Sequence, residues 1–199
     1  MCVSDHKVRV LAAAFLAVVA IGVSLLYGAP AAATMVLPLD LKQMTDQAGR
    51  ILVGHCEDLT QELDENGMPA TYVHLTVLDG IKGVATGDRI LIKQFGAARR
   101  PLKVAEGENA VVPMKTMTLS GGPYVPGRDY LLFLYPESAI GFTSPVGAGQ
   151  GRFELTTETV DGAALTTATN PLGNRFLKTF KDGPVALSTM VNKIRELMK

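Results

Sequence analysis

His55, Cys56 and His74 are the side chains with the most reactive chemistry in this chain. A thiol and an imidazole in hydrogen-bond reach are the minimum of a thiol-dependent enzyme. His55 and Cys56 are neighbours, and neighbours on a strand point to opposite faces, so they cannot serve each other. The pair left to consider is Cys56 with His74, which lies on the next expected strand. Two hairpin registers are open: one sets His74 opposite Cys56, the other opposite Glu57. The plainer alternative makes Cys56 a small buried core residue and places His74 on a solvated sheet face.

Other chemistries have weaker signals. Two histidines and one cysteine beyond residue 33, without close repeat spacing, do not make a zinc site. Asp64-Glu65-Asn66-Gly67 supplies only a fragment of a calcium loop and reads as a turn. Gly83 to Asp88 is glycine-rich but lacks the Lys-Ser/Thr ending of a phosphate loop. Gly147 to Gly151 opens a strand rather than a helix, so no helix N-terminus stands ready for phosphate. G-x-S-x-G, H-E-x-x-H and S-x-x-K are all missing. Neither a metal nor a cofactor is expected. Lys93, Arg99, Arg100, Lys103 and Lys115 make one long connection basic, with Glu106 and Glu108 partly offsetting them. Either this is a solvated loop, or Arg99, Arg100 and Lys103 form a contact patch for an acidic partner or a sugar acid. Tyr124, between two prolines, is either an exposed aromatic anchor beside that patch or a plug for one end of the fold.

The elements that must position these residues are mostly strands. Asp40 and Gln43 have capping-box spacing, with Leu41, Met44 and Ala48 on one face, so a short helix spans 40–48 with Gly49 closing it. Arg50 to Leu59 and Thr71 to Leu78 alternate as a hairpin. Val73, Leu75 and Val77 share the inner face of its second strand. Arg89 to Phe95 is a third strand. Asp129 to Tyr135 is apolar enough to be central and buried on both faces. Phe142 to Ser144 and Gly151 to Thr157 are shorter strands, and Asp161-Gly162 turns the chain into Leu165 to Thr167. Leu187, Met190, Val191, Ile194, Leu197 and Met198 recur at helical spacing, which makes 184–198 an amphipathic helix expected to pack on the domain's own sheet, with a partner-binding or membrane-surface helix as the alternative. The segment 96–128 is long for a connection and contains a small hairpin pairing 102–104 with 110–112.

Residues 1–33 read as an address. Lys7 and Arg9 precede an apolar run from Val10 to Tyr27, and Ala31-x-Ala33 follows as a cleavage site. The run is about 18 residues, close to the ~20 that span a bilayer, so a retained anchor is the alternative to a cleaved signal peptide. With cleavage after Ala33, residues 34–199 form one domain, periplasmic or extracellular. Losing Lys7, Arg9 and Asp5 leaves 17 basic and 18 acidic residues, a net charge near −1. That balance gives no case for nucleic acid or for an anionic membrane surface. The domain keeps one cysteine, Cys56, so no internal disulfide staples it.

Several pieces then fall into a pattern: Val53-Gly54 in the first strand, Leu78-Asp79-Gly80-Ile81-Lys82-Gly83 ending the second, Gly87-Asp88 before the third, Gly121-Gly122-Pro123-Tyr124 with Gly127-Arg128-Asp129-Tyr130-Leu131-Leu132-Phe133-Leu134, and Gly149-Gln150-Gly151-Arg152-Phe153. Over roughly residues 38–157 this resembles a group of poorly characterised exported bacterial proteins whose strand order is similar to the OB barrel of the netrin module and of tissue inhibitors of metalloproteinases. The resemblance implies a mainly β fold: a partly open OB-like barrel of five or more strands, flanked by short N- and C-terminal helices. The inhibitors use a free N-terminal Cys, held by a disulfide, on the protease zinc. A chain starting at Thr34 lacks that end, so no inhibitory residue carries over. The expected function is an exported, non-enzymatic binding module for a protein or small ligand outside the cytoplasm. The alternatives are a thiol-dependent enzyme using Cys56 with His74, and a membrane-anchored structural component of the envelope.

Overall fold

The computed structural model describes residues 37–96 and 122–199. The expected signal peptide, the basic residues Arg99, Arg100 and Lys103, and the small hairpin within 96–128 lie outside the described residues. Helix α1 spans Leu41–Gln47 and opens with the full capping box. Gln43 N–H donates to Asp40 Oδ1 and Asp40 N–H donates to Gln43 Oε1, each at 2.9 Å. Leu41, Met44 and Thr45 face the core. The helix ends with Ala48 in an extended conformation, so Gly49 is not the left-handed cap expected from its type. Gly49 is needed for room instead: a Cβ there would sit 3.0 Å from the Pro136 backbone nitrogen.

Seven antiparallel strands form one sheet in the order β3-β2-β1-β4-β5-β6-β7, which is not closed on itself. They are β1 (Arg50–Leu63), β2 (Pro69–Lys82), β3 (Arg89–Phe95), β4 (Asp129–Leu134), β5 (Arg152–Val160), β6 (Ala163–Thr169) and β7 (Val185–Ala186), and β7 leads into helix α2 (Leu187–Leu197). The fold is mainly β, with the two short helices where the sequence placed them. The β1–β2 hairpin is longer than its alternating core predicts. Its turn is held by Asp64, whose Oδ1 accepts from Asn66 N–H at 2.9 Å and Met68 N–H at 2.8 Å, while Gly67 supplies a φ of +72°. The β5–β6 turn has positive φ at both Asp161 and Gly162, as a two-residue hairpin needs.

Strand β4 is buried on both faces, as its composition requires, and it separates two cores. On one side Leu131 and Phe133 pack with Ile51, Val53, Phe153 and the buried faces of α1 and α2, including Met190 and Ile194. On the other side Tyr130, Leu132 and Leu134 meet Leu52, Cys56, Val73, Leu75 and Ile92. Burying one such Leu stabilises by about 1.5–3 kcal/mol, so both faces depend on this strand. The expected strand at 142–144 is reduced to two isolated bridges, Phe142 parallel to Lys93 and Pro145 antiparallel to Leu134. Thr143 N–H donates to Lys93 O at 2.9 Å and Tyr135 N–H to Ser144 O at 3.0 Å, so this segment touches both β3 and the end of β4. Among the described residues no helix is long and apolar enough to cross a membrane.

Candidate functional site

Helix α2 leaves a cleft where it crosses the sheet. Its buried residues Met190, Val191 and Ile194 dock on the core, while Leu187, Ser188, Asn192 and Arg195 stand along the edge of that contact. Residues Leu155, Thr157, Ala164, Leu165 and Thr166 of the β5–β6 hairpin contribute the sheet side. Val53, Leu78, Asp79 and Asp129 complete a cavity of about 580 Å³, within the size range of ligand sites. Several of its polar groups are paired. Arg195 Nη2 donates to Asp79 Oδ1 at 2.8 Å and to Oδ2 at 3.0 Å. The hydroxyls of Thr157 and Thr166 lie 2.8 Å apart across the hairpin. Asp129 Oδ1 lies 2.6 Å from His55 Nδ1.

The His55–Asp129 contact is the pair that sequence reasoning missed. The two residues are 74 positions apart and meet because β1 and β4 are neighbours that set His55 directly opposite Asp129. A carboxylate accepting from Nδ1–H leaves Nε2 as the free acceptor, the orientation used by acid–base imidazoles. The two side chains are 35% and 40% exposed. Among the described residues Asp129 is the one hydrogen-bond partner of the His55 side chain, and no hydroxyl or thiol bonds to its ring.

The structure does not bring Cys56 and His74 together. Cys56 lies opposite Leu75, and His74 lies opposite Asp58. Neither expected register occurs: Cys56 takes Leu75 as its partner, and a bulge between Cys56 and Asp58 leaves Glu57 unpaired where it would have faced His74. The extra residue keeps Asp58 on the outer face with His74, whose Nε2 is 3.8 Å from Asp58 Oδ1. Thr76 donates to Glu57 Oε1 at 2.8 Å on that same face. With Arg89 and Leu91 these residues line a smaller groove of about 380 Å³. Cys56 is fully buried in the other direction. Burial pushes its thiol above the ordinary range, the Asp58 and Glu57 charges push the same way, and Arg152 opposes them.

Tyr124 is 3% exposed, so its ring is an interior plug rather than an exposed anchor. It meets Tyr130 edge-on with centroids 5.1 Å apart, and its hydroxyl accepts from Gln94 Nε2 at 3.2 Å. The guanidinium of Arg152 lies 4.9 Å from each ring and donates to Pro123 O at 2.8 Å and to Glu154 Oε1 at 2.9 Å. Lys93, counted in the sequence among the basic loop residues, is engaged by two carboxylates and an aromatic ring. Its ammonium lies 3.0 Å from Asp64 Oδ2, 3.2 Å from Glu65 Oε1 and over the Phe142 ring. Among the described residues no group of three or more His, Cys, Asp or Glu could hold a metal ion.

Comparison with protein-family models, with curated proteins and with solved structures finds no match to this chain.

Proposed function

We propose that this chain is an exported, non-enzymatic binding module that takes its ligand in the cleft between α2 and the β5–β6 hairpin. The observation that carries the reading is the cleft itself: about 580 Å³, with apolar walls from Val53, Leu155, Leu187 and Val191 and polar groups already held in fixed pairs. Such a site offers shape and apolar contact while its few hydrogen-bonding groups are preorganised, which lowers the entropic cost of binding. Export rests on the layout of residues 7–33, basic, then apolar, then small. A leader retained as an anchor instead would tether the same module to the envelope. The thiol-enzyme alternative draws no support from a buried Cys56 on the face away from His74.

The reading includes a fold assignment: strands β1 to β4 with segment 142–146 as an OB-like, partly open barrel of the netrin kind. Its support is the bonding of that segment, parallel to β3 at Phe142 and antiparallel to β4 at Pro145, in a sheet where β4 already pairs with β1.

Protein-observed NMR with a library of fragments and short peptides tests the site. The expected result is binders whose shift changes cluster on Leu155, Leu165, Leu187 and Val191. Binders whose shifts map only elsewhere, for instance around His74 and Leu91, would remove the cleft from this role.

A further inference from the structure

We propose that the cleft beside α2 takes a small organic ammonium, an apolar body whose one positive charge is set against Asp129. This rests on the cleft reading and adds the chemistry of the ligand.

The sheet places that carboxylate. Val53 and Leu131 belong to the core under the helices. Asp129 stands two residues before Leu131 on β4, so it shares that face, one step outside the covered core. His55 stands in the same relation to Val53 on β1 and pairs with Asp129 across the strands. The face therefore passes from buried apolar side chains to a carboxylate at the cleft.

The charge of the lining selects the sign of the ligand. Its charged side chains are Asp79, Asp129 and Arg195. Arg195 Nη2 contacts both oxygens of Asp79, so those two charges offset each other. Asp129 uses Oδ1 on His55 and forms no ion pair with a lysine or arginine. A neutral imidazole leaves the carboxylate's charge in place, and Oδ2 keeps its capacity to accept. One net negative charge is left in the cleft. A ligand carboxylate would be repelled by Asp129 and would find the guanidinium already engaged, whereas an ammonium gains a charge-assisted hydrogen bond.

The rest of the lining calls for an apolar body. Leu78 and Leu165 both line the cleft and are 47% and 42% exposed. Leu78 stands there because it is the extra residue of a bulge: Val53 pairs with Asp79 and Gly54 with Val77. Covering these two side chains is favourable for an apolar ligand, and it also removes water from beside the charge, which strengthens the pairing with Asp129. A cavity of about 580 Å³ takes up a molecule of this kind whole.

Protein-observed NMR titration of the whole chain with hexylammonium, hexanol and hexanoate, equal in chain length and different in charge, tests this. The expected result is tightest binding for hexylammonium, with shifts on Leu78, Leu155 and Leu165. Asp129→Asn keeps an acceptor for His55 and should lower the preference for hexylammonium over hexanol at least about threefold. Circular dichroism melts report that the variant is folded. The parent chain gives an independent reading: from ~0.05 to ~0.5 M NaCl hexylammonium should weaken while hexanol does not. Hexanol or hexanoate shifting the same residues at equal or lower concentration overturns the ammonium proposal and leaves the cleft standing. An unchanged preference in folded Asp129→Asn does the same. If none of the three probes shifts the cleft residues, both readings fall. Nα-acetyl-lysine methylamide binding about tenfold more tightly than hexylammonium would assign the site to a lysine of a protein partner, and overturns the small-amine proposal.

Discussion

At the scale of single residues, burial decides which groups can act. Cys56 is fully buried, and Tyr124 and Tyr130 share its core, each with its proton held more tightly than usual because burial penalises the anion. The consequence for stability has a definite sign. Raised folded-state values mean that the folded form keeps protons the unfolded chain gives up. This contribution is whole below the unfolded values, ~8.5 for Cys and ~10 for Tyr, and is lost as pH rises through and above them. Urea midpoints should therefore be level from pH 6 to 8 and fall steadily above about pH 9. A midpoint that rises between pH 9 and 11 would contradict the burial of these three groups. A small buried cysteine follows from residue type, whereas the sequence leaves Tyr124 open between an exposed anchor and a plug, and only its burial decides. Nothing in the sequence announces Arg152, whose cation is enclosed by two tyrosines because β5 lies beside β4.

At the scale of elements, local signals were legible and pairings over long separations were not. The Asp40 capping box, the Asp161-Gly162 turn, strand β3 and the doubly buried β4 are all written in a few adjacent residues. The bulge at Glu57 is not, because an extra residue leaves the alternating pattern on either side intact and shows only when the partner strand is in place. That one residue takes Glu57 from its place opposite His74 and puts Asp58 there. His55 with Asp129 was hidden for the complementary reason, because the order of strands in a sheet is set by packing of whole faces. The capping box also has a measurable weight. Asp40→Ala removes the side-chain acceptor for Gln43 N–H and should cost about 1 kcal/mol. In a domain of this size that lowers Tm by roughly 2–4 °C, and Asp40→Asn should recover most of it. An unchanged Tm in Asp40→Ala would mean that α1 contributes through its buried face alone.

At the scale of the whole molecule, the sheet has two differently used halves. Strands β1 to β4 enclose one core, while β5, β6 and α2 extend the sheet and create a cleft with one polar-paired, one apolar character. A mainly β fold with a helix at each end was legible from alternation, glycine and proline spacing, and helical periodicity. The cleft was not, because its walls come from β1, β2, β4, β5, β6 and α2, and no local pattern announces such a meeting. The basic residues of the long connection are conspicuous in the sequence, whereas among the described residues a cleft with polar and apolar walls lies on the helix side. The central claim is that ligand enters there. Asn192→Trp lays an indole across the cleft from an exposed position on α2, and Glu196→Trp adds the same bulk at an exposed α2 position outside the cleft lining. Isothermal titration of both variants with the tightest peptide or fragment from the NMR screen is the direct measurement. The account predicts binding at least about tenfold weaker in Asn192→Trp, with Glu196→Trp like the parent. Equal affinity in Asn192→Trp, with its fold intact by melting, would contradict it.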